Sequence, residues 1–243
     1  MNYADFHRRS LQDRDAFWAE QAKAIDWHKP FTQVCDYANP PFARWFVGGQ
    51  TNLCHNAVDR HAATHPDRNA LIWVSTEVEQ ERIYTFAQLQ REVETMAAIL
   101  QAQGVGQGDR VLIYMPMIPE AAFAMLACTR IGAIHSVVFG GFASVSLATR
   151  IEDAEPKVIV SADAGSRAGK VVPYKGLLDE AIRLSSHKPA KVLLVDRGLA
   201  PMERTAGRDM EYATLREQHR NAKVPCAWVD ATHPSYTLYT SGT

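Results

Sequence analysis

Short apolar strand patterns, separated by single helices, constrain this chain most. Arg110-Val-Leu-Ile-Tyr-Met115 reads as a buried strand, and Ala133-Ile-His-Ser-Val-Val-Phe139, Lys157-Val-Ile-Val-Ser161 and Lys191-Val-Leu-Leu-Val195 read as further strands. Between them lie helices over Glu120–Ile131, with Pro119 as first helical residue, from about Ser144 to Glu152, and near Tyr174 to Ser185. A strand that returns to its sheet through one helix must run parallel to its neighbour. The pattern therefore predicts an α/β fold, a largely parallel sheet with flanking helices.

Upstream, residues Tyr3 to about Ile25 read as one helix, with Phe6, Leu11, Phe17, Trp18 and Ala22 at roughly helical spacing. Asp26 to Gln50 changes character, mixing Pro30, Pro40, Pro41, Gly48 and Gly49 with six aromatic residues. It reads as irregular chain packed along a larger surface. This places an N-terminal extension at residues 1–51 and the main domain at 52–243. From Asn52 a helix runs to near Pro66, Ala70–Ser75 reads as a strand, Glu77 to Glu81 as a turn and Arg82–Tyr84 as its hairpin return. Thr85 with Gln88 three residues on is a capping-box pair that opens a helix through about Gln103. The polar stretch Asp196 to Asp209 reads as a loop.

Composition removes several classes of function. With 47% hydrophobic and 22% charged residues the chain is neither disordered nor membrane-spanning, and its formal net charge of −1 offers no general attraction to nucleic acid. The N-terminus lacks a signal-peptide core, and no apolar run reaches 18 residues, so the expected location is cytoplasmic. Cys35, Cys54, Cys128 and Cys226 contain no C-x-x-C pair and are expected as reduced thiols. His61 and His65 have the spacing of a zinc-binding helix but no third ligand, so no metal site is assigned.

Ligands of open parallel sheets bind beyond the carboxyl ends of the strands, so chemistry is sought in those loops. Ser161-Ala-Asp-Ala-Gly-Ser-Arg-Ala-Gly-Lys170 follows a strand and sets Arg167 and Lys170 three residues apart, with glycines that permit tight turning. Two cations and exposed amides suit a phosphate. The loop differs from a Walker A loop at Ala164 and at Val171, so it would not hold a magnesium nucleotide in that manner. A solvated loop with two surface cations is the competing reading. Phe139-Gly140-Gly141-Phe142, also past a strand, allows either close approach of a ligand or a plain strand-to-helix turn. Gly104-Val-Gly-Gln-Gly-Asp109 follows a helix and ends in Asp, and has no nucleotide role. At the end, Ser235–Tyr239 is a β-prone run followed by the small turn Thr240-Ser241-Gly242-Thr243, whose amides and hydroxyls could face an anion. Ser241 lacks a G-x-S-x-G elbow, which disfavours a hydrolase. The pairs Glu152/Asp153 and Asp179/Glu180 read as solvated helix faces, and no general acid or base is assigned.

Together these blocks resemble a known family. Asn39-Pro-Pro-Phe-Ala-Arg-Trp-Phe46, Asn52-Leu-Cys-His-Asn56, Val111-Leu-Ile-Tyr-Met-Pro-Met117, Arg130-Ile-Gly-Ala-Ile-His-Ser-Val-Val-Phe-Gly-Gly-Phe142 and Tyr239-Thr-Ser-Gly-Thr243 are similar to the short-chain acyl-CoA synthetases of the adenylate-forming superfamily, in the right order. Within that group, Ser161 to Lys175 and Leu194-Val-Asp-Arg-Gly-Leu199 look more like the propionate–CoA ligases than the acetate–CoA ligases. The resemblance implies ATP, CoA and magnesium as substrates and ion, a short-chain carboxylate turned into acyl-AMP, and transfer of the acyl group to CoA. It implies that Thr240, Ser241, Gly242 and Thr243 begin the ATP phosphate loop. It implies that Arg167, Ala168, Gly169 and Lys170 meet CoA, with Phe139, Gly140 and Gly141 near its nucleotide. The family's phosphate loop runs on to a lysine, and its acyl pocket and catalytic lysine lie further on. The chain is therefore expected to be an N-terminal part of such an enzyme and inactive by itself. The competing reading is a non-catalytic module that binds CoA or a nucleotide, or docks to a partner.

Overall fold

The computed structural model describes residues 2–138, 140–167 and 169–240. The N-terminal segment, expected as one helix, is two: α1 (Tyr3–Gln12) and α2 (Arg14–Gln21), followed by a 3-10 turn at Ala22–Ala24. Asp13 breaks the helix with φ −113° and ψ 46°. The break lets Phe6 meet Phe17 edge to face at 4.7 Å. A straight helix would hold residues eleven apart at a distance of about 16 Å.

The aromatic stretch, expected as irregular, contains an antiparallel hairpin of β1 (Gln33–Asn39) and β2 (Phe42–Val47), then β3 (Gln50–Thr51). Trp27, Phe31 and Phe46 pack on one another at 5.0–5.4 Å, so aromatic residues cluster here without marking strand alternation. Within the segment expected as a helix from Asn52 to Pro66, one wide π-type turn at His55–Asp59 leads into α3 (Arg60–Thr64). Strands β4 (Asn69–Ser75) and β5 (Gln80–Thr85) make the expected hairpin. Helix α4 (Phe86–Ala102) starts on the expected capping box: Gln88 N–H donates to Thr85 Oγ1 at 3.3 Å, and Thr85 N–H donates to Gln88 Oε1 at 2.8 Å.

The rest of the chain builds the sheet. Its elements are β6 (Arg110–Tyr114), α5 (Pro119–Ile131), β7 (Ile134–Val137), α6 (Ser144–Ala154) and β8 (Val158–Ala162), then β9 (Gly165–Arg167), β10 (Lys170–Val172), α7 (Tyr174–Leu184) and β11 (Lys191–Val195). They are followed by β12 (Asp209–Glu211), α8 (Tyr212–His219) and β13 (Val229–Asp230), which pairs antiparallel with β3. Five strands run parallel in the order β12-β11-β8-β6-β7. Successive strand residues face opposite layers. Val111, Ile113, Val158 and Val160 pack with α4 and α5, while Leu112, Tyr114, Ile159 and Val192 pack with α6 and α7. This double coverage is why β6, β8 and β11 are largely apolar, while the edge strand β7 carries His135 and Ser136.

Further sequence expectations are corrected. The loop Ser161–Lys170 is not simple coil: it begins inside β8 and forms the antiparallel hairpin β9–β10. The loop Asp196 to Asp209 ends in an edge strand, β12, too short to show a period. Asp179 is not a plain solvated residue. It pairs with buried Lys175 and with Arg208, and Lys175 also meets the fully buried Asp209 carboxylate at 3.0 Å. Asp153 likewise accepts a hydrogen bond from the Tyr239 hydroxyl.

Candidate functional site

A cleft of about 650 Å³ opens beyond the carboxyl ends of β6, β7 and β8. Met115, Pro116 and Met117 enter it after β6, and Val138, Gly140 and Gly141 after β7. Ser166, Arg167 and Val172 enter it from the β9–β10 hairpin, and Val74 to Glu77 from the β4–β5 turn. Leu238 closes it beside β7. The backbone of Ser235–Thr237 runs parallel to that strand: His135 N–H donates to Ser235 O at 3.2 Å, and Thr237 N–H donates to His135 O at 2.9 Å. The terminal β-prone run therefore lies next in line at the sheet edge, and Thr240 follows two residues after Leu238.

Two local devices set the shape of the cleft. The first is Tyr174, at the start of α7, wedged between two glycines. A Cβ on Gly140 would lie 1.8 Å from the Tyr174 hydroxyl oxygen, and one on Gly165 would lie 2.7 Å from its ring. The close approach allowed at Gly140 is thus taken by the protein's own phenol. Tyr114 lies under it with ring centroids 4.9 Å apart. Burial pushes the Tyr114 hydroxyl up to about 12, and burial, then the Glu77 carboxylate, raises that of Tyr174. Both phenols are neutral at physiological pH.

The second device is Glu77, which ties the β9–β10 hairpin to the β4–β5 turn. Its Oε1 accepts the Ser166 N–H at 2.9 Å, and its Oε2 accepts from Arg197 at 2.7 Å. Arg197 also donates to Ala164 O at 3.0 Å. The Arg197 side chain is mostly buried while Glu77 stays partly open, and the guanidinium offsets the Glu77 charge. Arg167 then supplies a cation to the cleft wall. Lys170 pairs across the hairpin with Arg167 but is exposed and does not line the cleft. Gly169, at the hairpin turn, has φ +74°, the left-handed region that favours glycine.

Of the sequence-derived positions, the structure brings Gly140, Gly141 and Arg167 to one cleft, two residues from the described Thr240. It leaves Gly169 and Lys170 at the hairpin's outer end. Phe139, Ala168, Ser241, Gly242 and Thr243 lie outside the described residues. Sequence reasoning missed the roles of Tyr174, Glu77 and Arg197. Glu77 and Arg197 are 120 residues apart, and no local spacing signals such a pair.

A cleft beyond the strand ends of a parallel α/β sheet lies where open α/β folds bind their ligands. The chain belongs to the AMP-binding enzyme family, whose sequence model matches residues 58–243, preceded at residues 3–57 by a match to the acetyl-coenzyme A synthetase N-terminus. It is 59% identical to propionate–CoA ligase of Escherichia coli and 60% identical to that of Salmonella typhimurium, over all 243 residues. It spans 39% of the length of each of these relatives. Acetoacetyl-CoA synthetase from Streptomyces lividans superposes with a TM-score of 0.88 at 30% identity, covering 100% of this chain and 36% of that one.

Proposed function

We propose that this chain is the front part of an acid–thiol ligase that activates a short-chain carboxylate with ATP and passes the acyl group to CoA. Propionate is the favoured acid, because both ligases at 59–60% identity carry that substrate in their names; acetate is next. We further propose that residues 1–51 form the extension and 52–243 the adenylating part, acting in the cytoplasm on small molecules alone.

The reaction brings a carboxylate anion to a polyanion, so charge must be neutralised before bond making. Magnesium would travel with ATP as part of that substrate. The carboxylate attacks the α-phosphorus, pyrophosphate leaves, and the CoA thiol then displaces AMP. In this chain Thr240, Ser241, Gly242 and Thr243 would start the grip on the ATP phosphates. Arg167, with Lys170 outside it, would meet the phosphate end of CoA.

The observation that carries this reading is the shared cleft of Gly140, Gly141, Arg167 and Leu238, with apolar walls and one cation at its rim. Apolar walls suit an extended thiol arm, and the guanidinium suits a terminal phosphate. Isothermal titration of the chain with CoA and with 3′-dephospho-CoA tests it. CoA should bind about tenfold more tightly, a difference of about 1.4 kcal/mol, and Arg167→Ala should abolish the preference. Equal affinities in the unsubstituted chain would remove the assignment of Arg167.

A further inference from the structure

Away from the cleft, two cysteines distant in sequence meet. Cys54 lies in the helical residues just before the π-type turn His55–Asp59, and Cys226 lies in residues 222–228, which form neither helix nor strand and lead into β13. Their sulfurs and an Asp59 carboxylate oxygen all lie within 4.8 Å of one another. The Cys226 thiol donates to Asp59 Oδ2 at 2.9 Å. Arg130, at the end of α5, donates to both Asp59 oxygens at 3.0 and 2.9 Å and to Cys54 Sγ at 3.4 Å. Its other amino group meets Glu94 at 3.3 Å. Cys54 is fully buried, whereas Cys226 is partly open.

We propose that Cys54 and Cys226 form a dithiol that a peroxide oxidises reversibly to a disulfide. A disulfide needs an S–S distance of about 2 Å and neighbouring Cα atoms. Residues 222–228 carry no sheet ladder, and Arg130 and Asn52 hold them to the Cys54 side through Val224 O and Ala227, which keeps Cys226 beside Cys54. The two thiols are also unlike. Contact with Cys226 lowers the Cys54 thiol; burial opposes this, and the Arg130 guanidinium adds to the lowering. Contact with Cys54 and burial raise Cys226. Cys128 has only burial acting on it, which raises its thiol. Two thiols and a carboxylate can also hold a divalent cation. Here a guanidinium already bridges the carboxylate and one sulfur, and its fixed charge opposes a metal ion.

The chemistry balances with one peroxide. Asp59 draws the proton from the Cys226 thiol as that partly open sulfur attacks a peroxide oxygen, and the O–O bond breaks. Its thiol proton passes through Asp59 to the departing hydroxide, giving water and a sulfenic acid. Cys54, as the thiolate favoured by Arg130, then attacks the Cys226 sulfur. The S–O bond breaks, and the hydroxide leaves as water by taking up the proton that Cys54 released on becoming the thiolate. The two sulfurs together give two electrons, which reduce one hydrogen peroxide to two waters.

The test treats the full chain with hydrogen peroxide, then denatures, alkylates, digests and weighs the peptides. The expected result is loss of two of the four alkylatable thiols, a linked Cys54–Cys226 peptide, and full recovery with dithiothreitol. A Cys35→Ser/Cys128→Ser variant should keep the link, and Cys226→Ser should lose it while Cys54 stays alkylatable. Four thiols surviving, oxidation that stops at sulfinic or sulfonic acid, or a link through Cys35 or Cys128 would each overturn the proposal.

Discussion

Gly140 and Gly169 are both exposed to the choice between glycine and any other residue, but for opposite physical reasons. At Gly140 the backbone is unremarkable and the space is full: an added methyl meets the Tyr174 phenol. At Gly169 nothing lies within 4 Å, and the constraint is the backbone, with φ +74°. Gly140→Ala should therefore cost about 1–3 kcal/mol through overpacking. Gly169→Ala should cost about 1 kcal/mol through left-handed strain. Urea unfolding midpoints would check both, and a Gly140→Ala chain as stable as the parent would contradict the wedge. At this scale the sequence was legible in part. The paired glycines after β7 flagged a close approach, but the approaching atom, the Tyr174 hydroxyl, belongs to a helix 34 residues later. No reading of a four-residue turn contains that partner. Arg167 was legible as a cation in a turn, whereas its counterpart in cancelling charge, the Glu77–Arg197 pair, exists only after folding.

Elements differ in how much of their cause is local. Helix α4 was readable because its capping box and its apolar spacing are both within the segment. The β1–β2 hairpin was not, because packed aromatic residues and prolines hide strand alternation. The β9–β10 hairpin was not, because each strand has only three residues. Strand β7 shows a further consequence of assembly. It lies at the edge of the five-stranded sheet, and Ser235–Thr237 pairs with it. Burial lowers the His135 imidazole on that strand below its ordinary 6.5, and its Nδ1 has no partner among the described residues. The native state therefore resists protonation that the unfolded chain accepts. Above the unfolded value both states are neutral and stability is full. As pH falls below about 6.5 the unfolded state gains a proton first, so stability falls until the folded group also protonates. Melting temperature should drop between neutral pH and pH 5, and His135→Asn should flatten that slope. An unchanged slope in the variant would assign the effect to other groups.

At the scale of the whole molecule, the chain spans 39% of the length of the propionate–CoA ligases it resembles. The 243 residues alone should release no pyrophosphate above blank when given propionate, ATP and CoA. A propionate- and CoA-dependent signal from the isolated chain would refute this. The α/β class and the parallel sheet followed from sequence by itself, because burial on both faces forces largely apolar strands and a single helix between them forces a crossover. The family likeness too was written in contiguous blocks. Tertiary structure alone decided which distant groups share a place: Tyr174 between Gly140 and Gly165, Glu77 holding the hairpin through Arg197, and Cys54 beside Cys226. Hydrophobic pattern is periodic along a chain and so can be read from it. Steric contact and charge pairing fall off within a few ångströms, and those ångströms are set only when the sheet brings its ends together.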